Sequence, residues 1–435
     1  MVNNWINFRR VVLFCGLFGL VVSMDMGSHM GHGDSDAETF PRPDIQKPVS
    51  RTVHWISTLL FLFFMPCISS CFAFAGEIRG SLLLQIISGI YSFLEITALN
   101  FHDNDGVENR TSKGTGVFIF LLSVSILITG FLNYIKSRNG TSYVADRLKI
   151  LYTTQVFAGA LAGYVKVCLA PIAMFGFCRN IETGQCIAHG IMGSSFILYG
   201  FIYSMVLTVP WIRRTKNPMY SQDWIDSWVM CIYGIINTFT EHRWGREPWF
   251  MHDYQHTAMG ILWWAGGILG VFLSRNGKRT FIPSLIIMFT GWSMTQHHQT
   301  LEISTNVHYM FGLILTVGGA LRIIEITILL KDKKHADEIL SFQYLPPFCL
   351  VCAGCLFMSA NKEQLELVLG LGAEHSAYIM VIISGAFLLY CWILFCLEFY
   401  LHLANKKSTG MLDKYDPISN EPADDDSEFE MRAIE

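Results

Sequence analysis

Runs of about twenty apolar residues recur along this chain, and its charges are confined to the segments between them. Such a run, as a helix, spans the roughly 30 Å hydrocarbon core of a bilayer, and inside lipid the backbone must satisfy its own hydrogen bonds. The expected fold class is therefore all-α, a polytopic helical membrane protein in contact with the lipid bilayer. Composition agrees: of 435 residues 52% are hydrophobic and 15% charged, against about 25% charged in soluble proteins, and the mean hydropathy is +0.38. A net charge of -4 gives no basic surface for nucleic acid, and no Gly-rich phosphate loop or dinucleotide fingerprint occurs.

Residues 1–23 place Arg9 and Arg10 ahead of the short apolar stretch Val11 to Val22 and then Ser23, the pattern of a signal peptide. Eleven apolar runs follow, at 54–75, 82–101, 115–135, 150–175, 187–210, 224–240, 254–274, 280–297, 304–330, 341–359 and 375–403. With a luminal N-terminus, the loops assigned to the cytosol collect Lys136, Arg138, Arg147, Lys149, Arg213, Arg214, Lys216, Arg275, Lys278, Arg279, Lys331, Lys333 and Lys334, as the positive-inside rule requires. The expected site is an endomembrane (ER, Golgi or vacuole) or the plasma membrane. The C-terminus is then cytosolic, with residues 405–435 an acidic disordered tail. Residues 24–53 form a luminal Met/His-rich tail and linker, 54–136 an N-terminal membrane domain, and 137–404 a C-terminal membrane domain. A glycosylation sequon at Asn109 and a disulfide between Cys178 and Cys186 fit the luminal side.

On this topology twelve of the fourteen histidines lie on the luminal side, and they are densest between residues 241 and 308. His242, His252, His256, His297, His298, Glu302 and His308 are candidate metal ligands. Imidazole and carboxylate in such number suit copper, iron or zinc, and His252 and His256, four apart, share a helix face. The competing explanation is placement at the headgroup boundary, where Trp244, Trp249 and Trp292 also fall.

Two runs repeat HxxxGxxxxxGG: His256 with Gly260, Gly266 and Gly267, and His308 with Gly312, Gly318 and Gly319. His189 to Gly193 and His375 to Gly385 echo parts of it. Positions four and eleven beyond a histidine lie within about 40° of it. Each helix thus presents an imidazole above a glycine strip, formed by Gly260 and Gly267 in one and by Gly312 and Gly319 in the other. A b-type haem between His256 and His308 would use that arrangement; so would helix packing with no cofactor. The cytosolic half holds almost no histidine, which disfavours a complete electron path across the bilayer.

Within the runs, Glu95 and Lys166 are the ionisable groups farthest from an end. Each would cost about 2.5–3.5 kcal/mol unless paired or wetted, so they are expected to form a pair or to line a proton or ion path. Arg322 and Glu325 lie near a span end and read as snorkelling anchors. Met24, Met26, His29, Met30 and His32 interleave thioether and imidazole, a donor set for copper. This segment resembles the Met/His-rich ectodomains of copper-uptake transporters. Cys349, Cys352 and Cys355 lie mid-span without polar neighbours and read as packing residues.

The run EHRWGREPWFMHDYQHTAMGILWWAGGILGVFLSR and the later HHQTLEISTNVHYMFGLILTVGGALRIIE, within Glu241 to Glu325, resemble the C-terminal domain of the fungal YTP-like multi-pass membrane family. The stretch from His54 to about Lys136 is similar to the domain of unknown function that accompanies it. The resemblance implies membrane placement in a fungal cell and leaves catalysis unassigned. Three functions follow from the residues: a luminal His/Glu metal or haem redox site with His256 and His308 as primary ligands, a copper or ion transporter, and a non-catalytic organising or trafficking protein.

Overall fold

The computed structural model describes residues 47–99, 110–138, 143–178, 183–213, 221–240, 249, 251–296, 299–330 and 339–412. The assignments to the signal peptide, the Met/His tail, Asn109, His242, His297, His298 and the acidic tail lie outside these, as does the side chain of His252.

Among the described residues every regular element is helical, and nine helices are long and apolar enough to cross a membrane. In chain order they are α1 (Pro48–Ala75), α2 (Ile78–Thr97), α3 (Arg110–Arg138), α4 (Tyr143–Phe175), α5 (Thr183–Thr208), α7 (Met251–Leu273), α9 (Glu302–Leu329), α10 (Leu345–Met358, continuing a short turn from Ser341) and α12 (His375–Leu412). The run at 280–297 is α8 (Ile282–Thr295), 14 residues and about 21 Å long, short of a full crossing. The run at 224–240 is α6 (Gln222–Thr240), which is amphipathic and carries Asp223 and Asp226. A small helix, α11 (Lys362–Gly370), is capped by the Asn361 side chain accepting from the Glu363 amide.

The helices form two groups. In the first, α1 to α4 pack on one another around Leu82, Ile126, Tyr152 and Val156. In the second, α5 pairs with α10, α6 with α7, and α8 with α9, around a core that includes Phe196, Val307, Phe311, Leu315 and Leu356. Helix α4 thus packs with the N-terminal helices, although the sequence division at residue 136 sets it with the later ones. Helix α12 packs against both α1 and α10. Large apolar side chains such as Leu83, Phe118, Phe272 and Met380 point outward, as suits helices solvated by lipid.

A local irregularity seats α1 against α4. Pro66 has no amide hydrogen for the Leu62 carbonyl, and the chain from Leu59 to Phe64 widens to a π-helix there. Gly163 of α4 fits over that carbonyl: a Cβ at this position would lie 2.6 Å from the Leu62 carbonyl carbon and closer still to its oxygen. Backbone therefore meets backbone. One turn further along α4 stands Lys166.

Candidate functional site

Among the described residues, three buried assemblies carry charged or imidazole side chains. The first joins α1, α2 and α4. Glu95 Oε1 accepts from Lys166 Nζ at 3.2 Å and lies 3.1 Å from His54 Nε2, with all three side chains at most 6% exposed. The expected Glu95–Lys166 pairing is thus present, and His54 joins it. A signal for His54 existed, since it is the polar residue that opens an otherwise apolar run, but its place at the run's edge gave it the look of an interfacial residue.

The second assembly surrounds Arg322. Its Nη1 donates to Glu325 Oε2 at 2.8 Å and its Nη2 approaches Asp223 Oδ1 at 3.3 Å. Its guanidinium lies over the Tyr203 ring at 4.8 Å. Glu325 further accepts from Tyr203 Oη at 2.6 Å and from Gln343 Nε2 at 3.1 Å, and is 1% exposed. This corrects the reading of Arg322 and Glu325 as snorkelling anchors. Both turn inward, because α5, α6 and the 341–344 turn supply a full set of partners. Beside them lies a cavity of about 150 Å³, with Tyr199, Asp226, Trp263, Arg322 and Cys349 in its wall.

The third assembly is a histidine pair between α5 and α9. The His189 and His308 rings are both buried, 5.9 Å apart between centroids and nearly perpendicular. Each Nδ1 lies 2.8 Å from the carbonyl oxygen four residues earlier, Gln185 for His189 and Ser304 for His308. A carbonyl only accepts, so Nδ1 carries the hydrogen and Nε2 the lone pair in both rings. Phe357 of α10 stacks on His189 at 4.7 Å and meets His308 edge-on. A smaller cavity of about 40 Å³, bounded by Phe311, Phe357, Met192 and Met294, is linked to this pair through Phe357 and shares Tyr233 and Trp263 with the larger one.

His308 therefore stands with His189 rather than with His256. His256 is half-buried on α7, which packs on α6 and α8, whereas α9 packs on α8 and α10. The glycine strips are not open seats for a planar ring either. Gly260 abuts Thr238 and Gly267 abuts Cys231, both on α6; Gly312 meets Gly291, and Gly319 meets Met288 of α8. In each case the next helix already occupies the strip, which is the packing use of such glycines. Glu302 is exposed in the first turn of α9. Among the described residues no three His, Cys, Asp or Glu side chains come together as a metal cluster. Cys178 and Cys186 are joined as a disulfide, with Cα atoms 5.5 Å apart, and Asn361 Nδ2 contacts the Cys178 sulfur.

These features define a polytopic all-α membrane protein with ionic and imidazole groups sealed inside its helix bundle. Residues 162–401 match the family model described as protein YTP1-like, C-terminal. The chain is 54% identical to Protein YTP1 of Saccharomyces cerevisiae, across 97% of this chain and 96% of that protein; it belongs to the YTP1-like family. It is also 23% identical to an uncharacterised membrane protein of Schizosaccharomyces pombe, over 47% of this chain and 50% of that one. A second uncharacterised membrane protein of Saccharomyces cerevisiae is 24% identical over 43% and 38% respectively. No solved structure matches.

Proposed function

We propose that this integral membrane protein holds a redox-active copper ion between His189 and His308, on the luminal side of a secretory-pathway or plasma membrane. The observation that carries the reading is the ring pair itself. Two imidazoles bound in line to one ion, at roughly 2 Å from each nitrogen, have centroids about 6 Å apart, and these are 5.9 Å apart. Fixing each Nδ1–H on a carbonyl is how proteins orient a metal-binding imidazole and raise its basicity. With two protein ligands, the site suits Cu(I), which accepts linear two-coordination; a porphyrin does not fit, because Phe357 packs against both rings and the nearby cavity holds only about 40 Å³. The basic residues of alternate loops support the luminal placement of the N-terminus.

Elemental analysis of the protein purified from its native membrane tests this. The expected result is near-stoichiometric copper, lost in His189→Ala and in His308→Ala and retained in His256→Ala. No copper in the wild type, or equal loss in all three variants, refutes it.

A second reading, transport of a metal or other ion, is favoured by the cavity beside Asp226 and Arg322. Deleting residues 24–33 would then change cellular copper accumulation; an unchanged metal content counts against it.

A further inference from the structure

Helix α2 carries a polar face that neither the imidazole pair nor the Arg322 network uses. Ser81, Gln85, Ser88, Ser92 and Glu95 recur at steps of four and three, so they stack along one side. All five are between 0% and 8% exposed. The stretch covers roughly 21 Å of helix, most of a hydrocarbon core of about 30 Å.

Its two ends differ. At one, Ser81 Oγ lies 2.7 Å from Tyr152 Oη, and Ser69 links Ser81 to Gln85 through contacts of 2.9 and 3.0 Å. Exposed Glu77 and Arg79 lie within about a turn of this end. At the other stands the Glu95 carboxylate, whose Oε1 takes both Lys166 and His54. Between the ends, Ser88 Oγ, Ser92 Oγ and Glu95 Oε2 are buried and meet no hydrogen-bond partner among the described residues. Tyr91, on the same turn as Ser92, lies beside Thr58 of α1.

Serines that serve only to pack membrane helices return their hydroxyl to the carbonyl four residues back. Ser195, Ser204 and Ser384 do this here, at 2.8 Å each. Ser88 and Ser92 do not. An orphaned buried polar group is costly, and three on one face is a large penalty unless water bridges them, as buried water does with two to four hydrogen bonds.

We propose that this face of α2 conducts protons through a file of bridging water, from the Tyr152 end to the His54–Glu95–Lys166 triad. Glu95 gains a proton at Oε2 from the file. With the Glu95 carboxylate neutralised, Lys166 releases one from Nζ on the far side. The proton on Glu95 then passes to Lys166, restoring both groups, so one proton has crossed and nothing else is consumed. Protons are the carried species because the rest of the face is neutral and the single carboxylate is already balanced by Lys166, leaving no net negative charge to hold a metal cation.

The test uses the full chain in phosphatidylcholine vesicles, with a potassium gradient and valinomycin setting the potential and a trapped pH-sensitive dye reporting flux. Wild type should exceed protein-free vesicles at least tenfold. Glu95→Gln and the pair Ser88→Val with Ser92→Val should each lose most of that excess, while Ser384→Val on α12 should not. If Glu95→Gln fails to fold by gel filtration, the serine pair carries the comparison. Flux no greater than in protein-free vesicles, or unchanged in the folded serine-pair variant, overturns the proposal. Neither result bears on the copper content at His189 and His308, so the two readings fail separately.

Discussion

Gly163→Ala is the smallest change that should be felt in both packing and charge. The added methyl would lie 2.6 Å from the Leu62 carbonyl carbon, where carbon atoms ordinarily rest about 3.5–4.0 Å apart. The obstacle is backbone, so no side-chain rotation relieves it and α4 must move from α1 by roughly 1 Å or more. Overpacking of that kind costs about 1–3 kcal/mol. Lys166 travels with α4, and its 3.2 Å contact with Glu95 would stretch past ion-pair range. A broken buried pair costs about 3–5 kcal/mol where no water enters. Part of that is recovered as Glu95 turns fully to His54 and as the bridging water proposed along α2 reaches its Oε2, so the combined loss should be about 2–5 kcal/mol. Unfolding of the detergent-solubilised protein, followed by gel filtration after heating, measures it. A melting temperature equal to that of wild type would refute the close approach. So would a Glu95–Lys166 double-mutant cycle giving the same coupling in both backgrounds.

Other expectations can be checked the same way. Glu325→Leu should cost about 3–5 kcal/mol by leaving Arg322, Tyr203 and Gln343 short of an acceptor, and adding Arg322→Met should recover part of it; a double variant worse than both singles would show that the network is not coupled. Gly319→Val should weaken α8–α9 packing by about 1–3 kcal/mol, because its neighbours include the Ser284 carbonyl at 2.7 Å. Gly385→Ala, with nothing within 4 Å and inside a helix, should leave the melting temperature equal or raised, since alanine suits a helix better than glycine. Cys178→Ser should cost about 2–3 kcal/mol, the range for closing a short loop, with equal loss on reduction of the wild type by dithiothreitol.

Much of this architecture is legible in the sequence because lipid leaves the backbone few choices. Nine of the eleven apolar runs become long apolar helices, and the Glu95–Lys166 pair follows from the cost of two separate charges in a membrane. Neighbour choice is less legible. The HxxxGxxxxxGG repeat correctly marks a face of α7 and of α9, but glycine strips identify a packing face without naming what packs there. The strip of α7 meets α6 and that of α9 meets α8, so two identical motifs do not face each other. His189, which carries only the opening part of the motif, ends beside His308 because α5 pairs with α10 and α10 lies against α9. Arg322 and Glu325 were hidden for a related reason: their partners Asp223, Tyr203 and Gln343 come from three separate segments, none close in sequence.

Helix α12 has a consequence for biogenesis. Phe399 meets Phe72 of α1 edge-on, Trp392 lies against Phe64, and Phe387 stacks on Phe348 of α10. It is the last of the described helices to leave the ribosome, so the aromatic faces of both helix groups must wait in the membrane without it. During that interval the half-made protein presents to the quality-control machinery two lipid-exposed surfaces that the finished molecule covers. A premature stop before residue 375 should therefore be degraded far faster than one after residue 412, even though both would retain every ionic and imidazole group of the interior.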